Sequence, residues 1–282
     1  MGLQGKGFWI WKIINCEGGV TSAIVDQAVA AGLTHVMIKI ADGAGSSNVD
    51  TTTGQDKVAP LANALRAKGL QVWGWHYVYG YDPNAEASKA ISRLQALGLD
   101  GYIVDAEGEF KQEGKATAAS TFMTKVRSAF PNLPIALSSY RYPSYHPTFP
   151  WKSFLEKCDL NMPQVYWEQA HNAGTQLTRS FNEFQKMTPY RPVIPTGAAY
   201  KHNGWVPTDA DVLEFLNTAR SLHLDAANFF SWDECRRDLT GLWSTISDYN
   251  WNGANGGQDI AVQYISALNT RDPNIVASLY TP

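Results

Sequence analysis

Three carboxylates close one short apolar run: Asp105, Glu107 and Glu109 break the segment Asp100-Gly-Tyr-Ile-Val-Asp-Ala-Glu-Gly-Glu-Phe110. Side chains on a strand alternate faces, so Asp105 and Glu107 project the same way, with backbones roughly 6.6 Å apart. Two carboxyls packed on one face raise each other's proton affinity. One can then stay protonated near neutral pH while its neighbour is ionised, which is the division of labour that acid/base catalysis needs. A solvated acidic turn is the competing reading, and for an isolated Asp-x-Glu it would be the better one.

The surrounding pattern favours the chemical reading. Eight apolar, β-rich runs of strand length recur along the chain: Phe8 to Ile14, His35 to Ala41, Gln71 to Val78, Tyr102 to Ala106, Ile135 to Ser139, Leu160 to Tyr166, Pro192 to Ala198 and Ala226 to Trp232. Helical patterns separate most of them: Thr21 to Ala31, Asp56 to Lys68, Asn84 to Leu97, Thr117 to Phe130, a short one around Phe154, Gln176 to Lys186, Asp209 to Leu222, and Leu239 to Tyr249. Asp82-Pro83 and Thr208-Asp209 read as N-terminal caps, and Gly32, Gly69 and Gly98 stand where helices should stop. Near-continuous apolar strands alternating with helices imply a parallel sheet covered by helices. Eight units over roughly 245 residues match an α/β fold of the (β/α)8 barrel type, also called a TIM barrel. The competing doubly wound sheet would carry an early phosphate-binding glycine turn, and no G-x-G-x-x-G follows the first run.

In a barrel the functional groups sit at the C-terminal strand ends, so those ends locate the site. The first offers Lys12 and Asn15, the second Lys39 and Asp42. Lys39 lies in an apolar strand and needs a partner, for which Asp105 or Glu107 would serve; a Schiff-base role is the sharper and weaker alternative. On the third, Trp75 and Tyr77 share a face and His76 takes the other, which suits a hydrogen-bonded packing residue more than a catalyst. The fifth runs into Ser138-Ser-Tyr-Arg-Tyr-Pro-Ser-Tyr-His146, where Tyr140 is a binding candidate and Arg141 could clamp an anion or orient Glu107. On the sixth, Met162, Gln164 and Tyr166 fall on one face. On the eighth, Asn228, Phe230 and Trp232 do so, which would place Trp232 at the mouth as a stacking platform, with Asp233 and Glu234 just beyond. Glu109 falls in the loop, outside the chemistry.

Composition narrows the partners. A net charge of -3 supplies no basic surface, so neither nucleic acid nor an anionic membrane is implied. Ten Trp and thirteen Tyr are many for a chain of this size; taken alone they favour core packing over carbohydrate, though such rings also suit sugar stacking. Cys16, Cys158 and Cys235 form neither a disulfide framework nor a zinc motif, and point to a reducing compartment or to incidental core positions. The apolar patch at Phe8 is too short and interrupted for a signal peptide or membrane span, so the protein is cytoplasmic or has lost a leader.

An Asp-x-Glu closing strand four, a Met-x-Gln-x-Tyr strand six and a Trp-Asp strand eight resemble the TIM-barrel glycoside hydrolases, particularly the Asp-x-Glu lysozymes of family twenty-five and, more loosely, the chitinase-like family eighteen. The resemblance implies a glycosidase acting on a neutral or N-acetylated polysaccharide, peptidoglycan or chitin-like, without a cofactor. Glu107 would be the proton donor. Asp105 would tune it or help a substrate N-acetyl group to attack, with Gln164 and Tyr166 holding that group. The chain departs from the lysozymes at strand one, where Lys12 and Asn15 replace an acid, and from the chitinase motif at Gly101 and Ile103. The second catalytic carboxylate is therefore Asp105 by proximity or Asp233 across the barrel. Two other readings stand beside this one. The barrel could bind carbohydrate without cleaving it, as a targeting module, or be a metal-dependent hydrolase using His76, Asp105, Glu107 and Asp233, which lacks any two-histidine spacing.

The barrel should occupy 1–250, a Gly/Asn linker 251–258 and a helical tail 259–282. In the tail, Tyr264-x-x-Ala267-Leu268 followed by Asp272 and Leu279-Tyr280 resembles the opening of the NTF2-like (SnoaL-like) domains, which implies a truncated further domain. A terminal helix packed on the barrel is the equal alternative.

Overall fold

Eight parallel strands close into a barrel in the computed structural model, which describes residues 2–251. β1 (Gly5–Ile10), β2 (His35–Asp42), β3 (Gln71–Val78), β4 (Gly101–Ala106), β5 (Ile135–Tyr140), β6 (Leu160–Gln164), β7 (Thr196–Ala198) and β8 (Ala226–Phe230) pair in sequence order. β1 completes the ring by pairing with both β2 and β8. The helices are α1 (Thr21–Ala30), α2 (Val58–Ala67), α3 (Pro83–Leu97), α4 (Lys115–Ala129), α5 (Trp151–Leu155), α6 (Ala173–Phe184), α7 (Asp209–Ser221), α8 (Trp232–Asp238) and α9 (Thr240–Asp248). This is the (β/α)8 architecture that the alternating pattern implies. The expected linker, past Trp251, and the tail at 259–282 with its NTF2-like reading lie outside the described residues.

The strands read as continuous apolar runs because both faces are buried. Inside the barrel, Trp9, Met37, Trp73, Trp75, Ile103, Ala136, Met162, Ile194 and Ala226 form one buried cluster. Small residues make room for large ones: a Cβ at Gly101 would lie 2.3 Å from the Trp73 indole. The opposite face packs on the helices, as Phe8 does against Trp243 of α9 and Phe229 against Phe215 of α7.

Local signals set the helix ends. The Asp82 carboxylate accepts from the backbone N–H groups of Asn84 and Ala85 at 3.1 and 3.0 Å, and Thr208 forms a reciprocal capping box with Asp211. Gly98 ends α3 at φ 55°, where a side chain would be strained.

Three elements differ from the sequence reading. β1 starts three residues earlier than Phe8 and stops at Ile10, and a single helical turn at Ile13–Asn15 carries Lys12 and Asn15 away from the strand end. β7 is only three residues long, since Pro192 and Pro195 have no N–H to give the ladder. The expected helix from Leu239 to Tyr249 is preceded by a separate one, α8, because β8 ends two residues early, at Phe230. The three cysteines are buried and unpaired, and no described helix is long and apolar enough to cross a membrane.

Replacing Gly101 with Ala should cost about 1–3 kcal/mol by overpacking against Trp73, measurable by denaturant unfolding. Unchanged stability would contradict the packing described.

Candidate active site

A cavity of about 220 Å³ opens at the C-terminal ends of the strands, lined by Trp9, Trp11, Lys39, Trp75, Tyr77, Asp105, Glu107, Ser138, Gln164, Tyr166 and Phe230. Strand parity places most of these. Asp105 is the penultimate residue of β4 and Glu107 follows the strand directly, so both point inward, as do Trp75 and Tyr77 on β3 and Gln164 at the end of β6.

One amide ties the acids together. Gln164 Nε2 donates to Asp105 Oδ1 at 3.1 Å and to Glu107 Oε1 at 2.9 Å, with Ser138 Oγ a further acceptor at 3.2 Å. Two oxygens within reach of one nitrogen can be no more than about 6 Å apart. Asp105 is buried, and Glu107 is half-buried. Burial first and the neighbouring Glu107 charge second push the Asp105 carboxyl well above the usual carboxylate range, against the Ser138 hydroxyl, the Lys39 charge and the Gln164 amide. Burial also raises Glu107, opposed by the Gln164 hydrogen bond and the Lys111 charge and reinforced by Glu109. The pair therefore retains a proton that exposed carboxyls would have lost.

Lys39 and Glu109 are placed otherwise than the sequence reading had them. Lys39 Nζ pairs with Asp42 at 2.6 Å, not with the acids, and sits 4.8 Å from the Trp75 ring centre and 5.3 Å from that of Trp11. It stays in the cavity wall because aromatic faces and Asp42, which also accepts from the Tyr79 hydroxyl at 2.7 Å, hold it there. Glu109 does not line the cavity, but the turn Gly108–Lys111 keeps it behind the wall, where it accepts from the Tyr77 hydroxyl at 3.0 Å.

Five candidates do not line the cavity, and three of them, His76, Trp232 and Asp233, lie away from it altogether. His76 takes the even face of β3 and is fully buried between Tyr102 and Phe122, with Nδ1 3.0 Å from the Tyr102 hydroxyl and Nε2 2.8 Å from the Gly43 carbonyl oxygen. Burial lowers its pKa to about 4, so it is a neutral packing residue and not a substrate ligand. Trp232 is fully buried against Phe8 and Trp243, because the chain turns into α8 after Phe230 and strand parity no longer holds. It cannot be the stacking platform at the mouth. Asp233, in the first turn of α8, faces Asn15 at 3.5 Å and does not line the cavity. Asp105 is thus the carboxylate that accompanies Glu107, and the four residues of the metal-hydrolase reading do not converge. No described group of three or more His, Cys, Asp or Glu residues could hold a metal ion.

Tyr140 and Arg141 line a second depression of about 450 Å³ that shares Gln164 and Tyr166 with the cavity. Sequence reasoning missed Trp9, Trp11 and the contact of Glu109 with Tyr77. Trp9 was legible, as the inward residue of β1 by parity. Trp11 lies past the strand and is fixed by Asn48, whose amide donates to the Trp11 and Lys39 carbonyls at 3.0 and 2.8 Å while its oxygen accepts from the Ile13 N–H at 2.8 Å.

Solved structures share this barrel. The class V chitinase from Nicotiana tobaccum superposes with a TM-score of 0.64 at 11% identity, covering 89% of this chain and 99% of that one. A GH18 chitinase from Cycas revoluta, in complex with (GlcNAc)4, gives 0.63 at 9% identity over 86% and 98% of the two chains. A family 18 N-acetylglucosaminidase from Paenibacillus barengoltzii gives 0.58 at 10% over 87% and 99%. The likeness is one of fold. Neither a family model nor a curated protein sequence matches the chain.

The acid pair should make stability pH-dependent in a definite direction. Its proton affinity is higher in the folded than in the unfolded chain, so between the two titration ranges the folded state holds more protons, and stability falls as pH rises. The double variant Asp105→Asn, Glu107→Gln should remove this loss and gain on the native protein as pH rises from 4 to 8, by on the order of 1 kcal/mol. Parallel stability curves from denaturant titrations would contradict the raised proton affinity.

Proposed function

We propose that this protein is a glycoside hydrolase acting on an N-acetylated polysaccharide, chitin-like or peptidoglycan-like, with Glu107 as the proton donor. The observation that carries the reading is the acid pair at the end of β4, joined by one amide inside an aromatic-walled cavity. Burial keeps a proton on the pair, as general acid catalysis of glycosidic cleavage requires. Trp11, 44% exposed, and Phe230 offer flat apolar faces to a sugar ring in place of Trp232.

The placement of the acids also bears on mechanism. Both come from the end of one strand, with the bridged oxygens no more than about 6 Å apart, so they project side by side from one wall and are not set on opposite faces of a bound sugar as the two carboxyls of inverting enzymes are. No third carboxylate lines the cavity among the described residues. The nucleophile that fits is the substrate's own acetamido oxygen, as in substrate-assisted glycosidases. Asp105 would hold the acetamido N–H and Tyr166 its carbonyl, while Glu107 protonates the departing oxygen. The complexes of the Cycas revoluta and Nicotiana tobaccum chitinases with (GlcNAc)4 and NAG4 support this substrate class.

The lack of an opposing carboxylate equally suits the second reading, a barrel that binds carbohydrate without cleaving it. Reducing-end release from chitooligosaccharides and peptidoglycan separates the two. Native protein should release ends, Glu107→Gln should lose about 10²–10⁴-fold in rate while still binding, and fully deacetylated oligomers should resist cleavage. Binding without release by either protein would establish the binding module, and equal rates on deacetylated oligomers would eliminate the acetamido nucleophile.

A further inference from the structure

The depression beside the cavity is lined by one cation, Arg141, that no described carboxylate pairs with. Arg141 is half-buried in its wall, with its guanidinium 5.1 Å from the Tyr142 ring centre and its backbone carbonyl accepting from the Ser180 hydroxyl at 2.6 Å. Among the described residues, no carboxylate lies within ion-pair distance of Arg141 or of Lys111. The Lys111 ammonium sits 4.1 Å from the ring centre of Tyr140, on which His146 stacks at 3.7 Å. Burial first, and then the charges of Lys111 and Arg141, hold down the proton affinity of His146, so both cations act on this corner. The one carboxylate that lines the depression, Glu168, is already engaged: one oxygen accepts from the Tyr200 hydroxyl and the other lies 3.1 Å from His202 Nδ1.

A guanidinium beside an aromatic ring, on a concave surface whose one carboxylate is engaged elsewhere, is free to receive a planar anion from outside. The depression shares Gln164 and Tyr166 with the cavity, so whatever occupies it is continuous with the group beside Glu107. We propose that it is a subsite for a carboxylate carried by the glycan on the sugar next to the scissile bond, with Arg141 as its ligand and Lys111 adding attraction at longer range. This rests on the glycosidase reading and narrows it from N-acetylated glycans in general to those bearing carboxylates. The carboxylate could belong to a lactyl ether on an amino sugar or to a uronic acid; the chemistry recognised is the same.

Calorimetric binding to the Glu107→Gln chain, in which turnover should be slowed enough to measure binding, tests this with three tetrasaccharides: neutral chitotetraose, alternating N-acetylglucosamine and N-acetylmuramic acid, and alternating N-acetylglucosamine and glucuronic acid. At least one acidic ligand should bind about 10-fold or more tightly than chitotetraose. The acidic ligand that does so identifies the source of the carboxylate. Adding Arg141→Gln should bring the ratio to within about 2-fold, and Arg141→Lys should restore part of it. No preference in the Glu107→Gln chain, or a preference that survives Arg141→Gln combined with Lys111→Gln, would overturn the subsite. If chitotetraose is bound by that chain and cleaved by the native protein without any preference for acid, only this inference fails. Should no glycan bind, the glycosidase reading fails with it.

Discussion

Desolvation of two carboxyls that share a single amide donor is the constraint to which the rest of the site answers. Gln164 has one NH2 group to share among Asp105, Glu107 and Ser138, and beyond it the Ser138 hydroxyl supports Asp105, so few donors meet the two carboxyls as anions. The remaining charge is met at a distance by Lys39 and reduced at source by keeping a proton. Such an arrangement costs stability, and the layers of large side chains beneath it, Trp73, Trp75, Ile103 and Met162, supply the apolar burial that makes the cost bearable.

The cation opposite the acids is itself under control. Lys39 could collapse onto Asp105 and extinguish its raised proton affinity, but Asp42 holds it at 2.6 Å and the rings of Trp11 and Trp75 surround it. Asn48 binds the backbone of both Trp11 and Lys39, so the rim aromatic and the cation are positioned by one side chain. Tyr77, whose ring centre lies 5.9 Å from the Lys39 ammonium, holds Glu109 close enough to add negative charge beside Glu107. Acids and base are thus held apart inside one small cavity, which lets the acids keep a proton beside a permanent cation.

Most of this was legible in the sequence wherever a strand persisted. Period-2 alternation placed Asp105, Trp75 and Gln164 on the inner face and His76 on the outer one, because the barrel keeps strand geometry up to those residues. It failed where the strand ended unannounced. β8 stops at Phe230 and the next helix starts at Trp232, so a tryptophan counted as facing the mouth is buried behind the barrel, and Asp233 goes with it. Glu109 was lost for the mirror-image reason: a short turn returned a residue that a loop would have carried away. The partner of Lys39 was missed because a nearby Asp42, three residues on, wins over acids two strands away.

The account stands on the claim that the buried pair holds a proton when exposed carboxyls have lost theirs. Isotope-edited infrared titration of the protein, with Asp105→Asn and Glu107→Gln used to assign the bands, measures that occupancy directly. A protonated carboxyl band should persist well above about pH 4, where exposed carboxyls ionise, and should vanish in the double variant. Complete ionisation of both groups near pH 4 in the native protein would contradict the account.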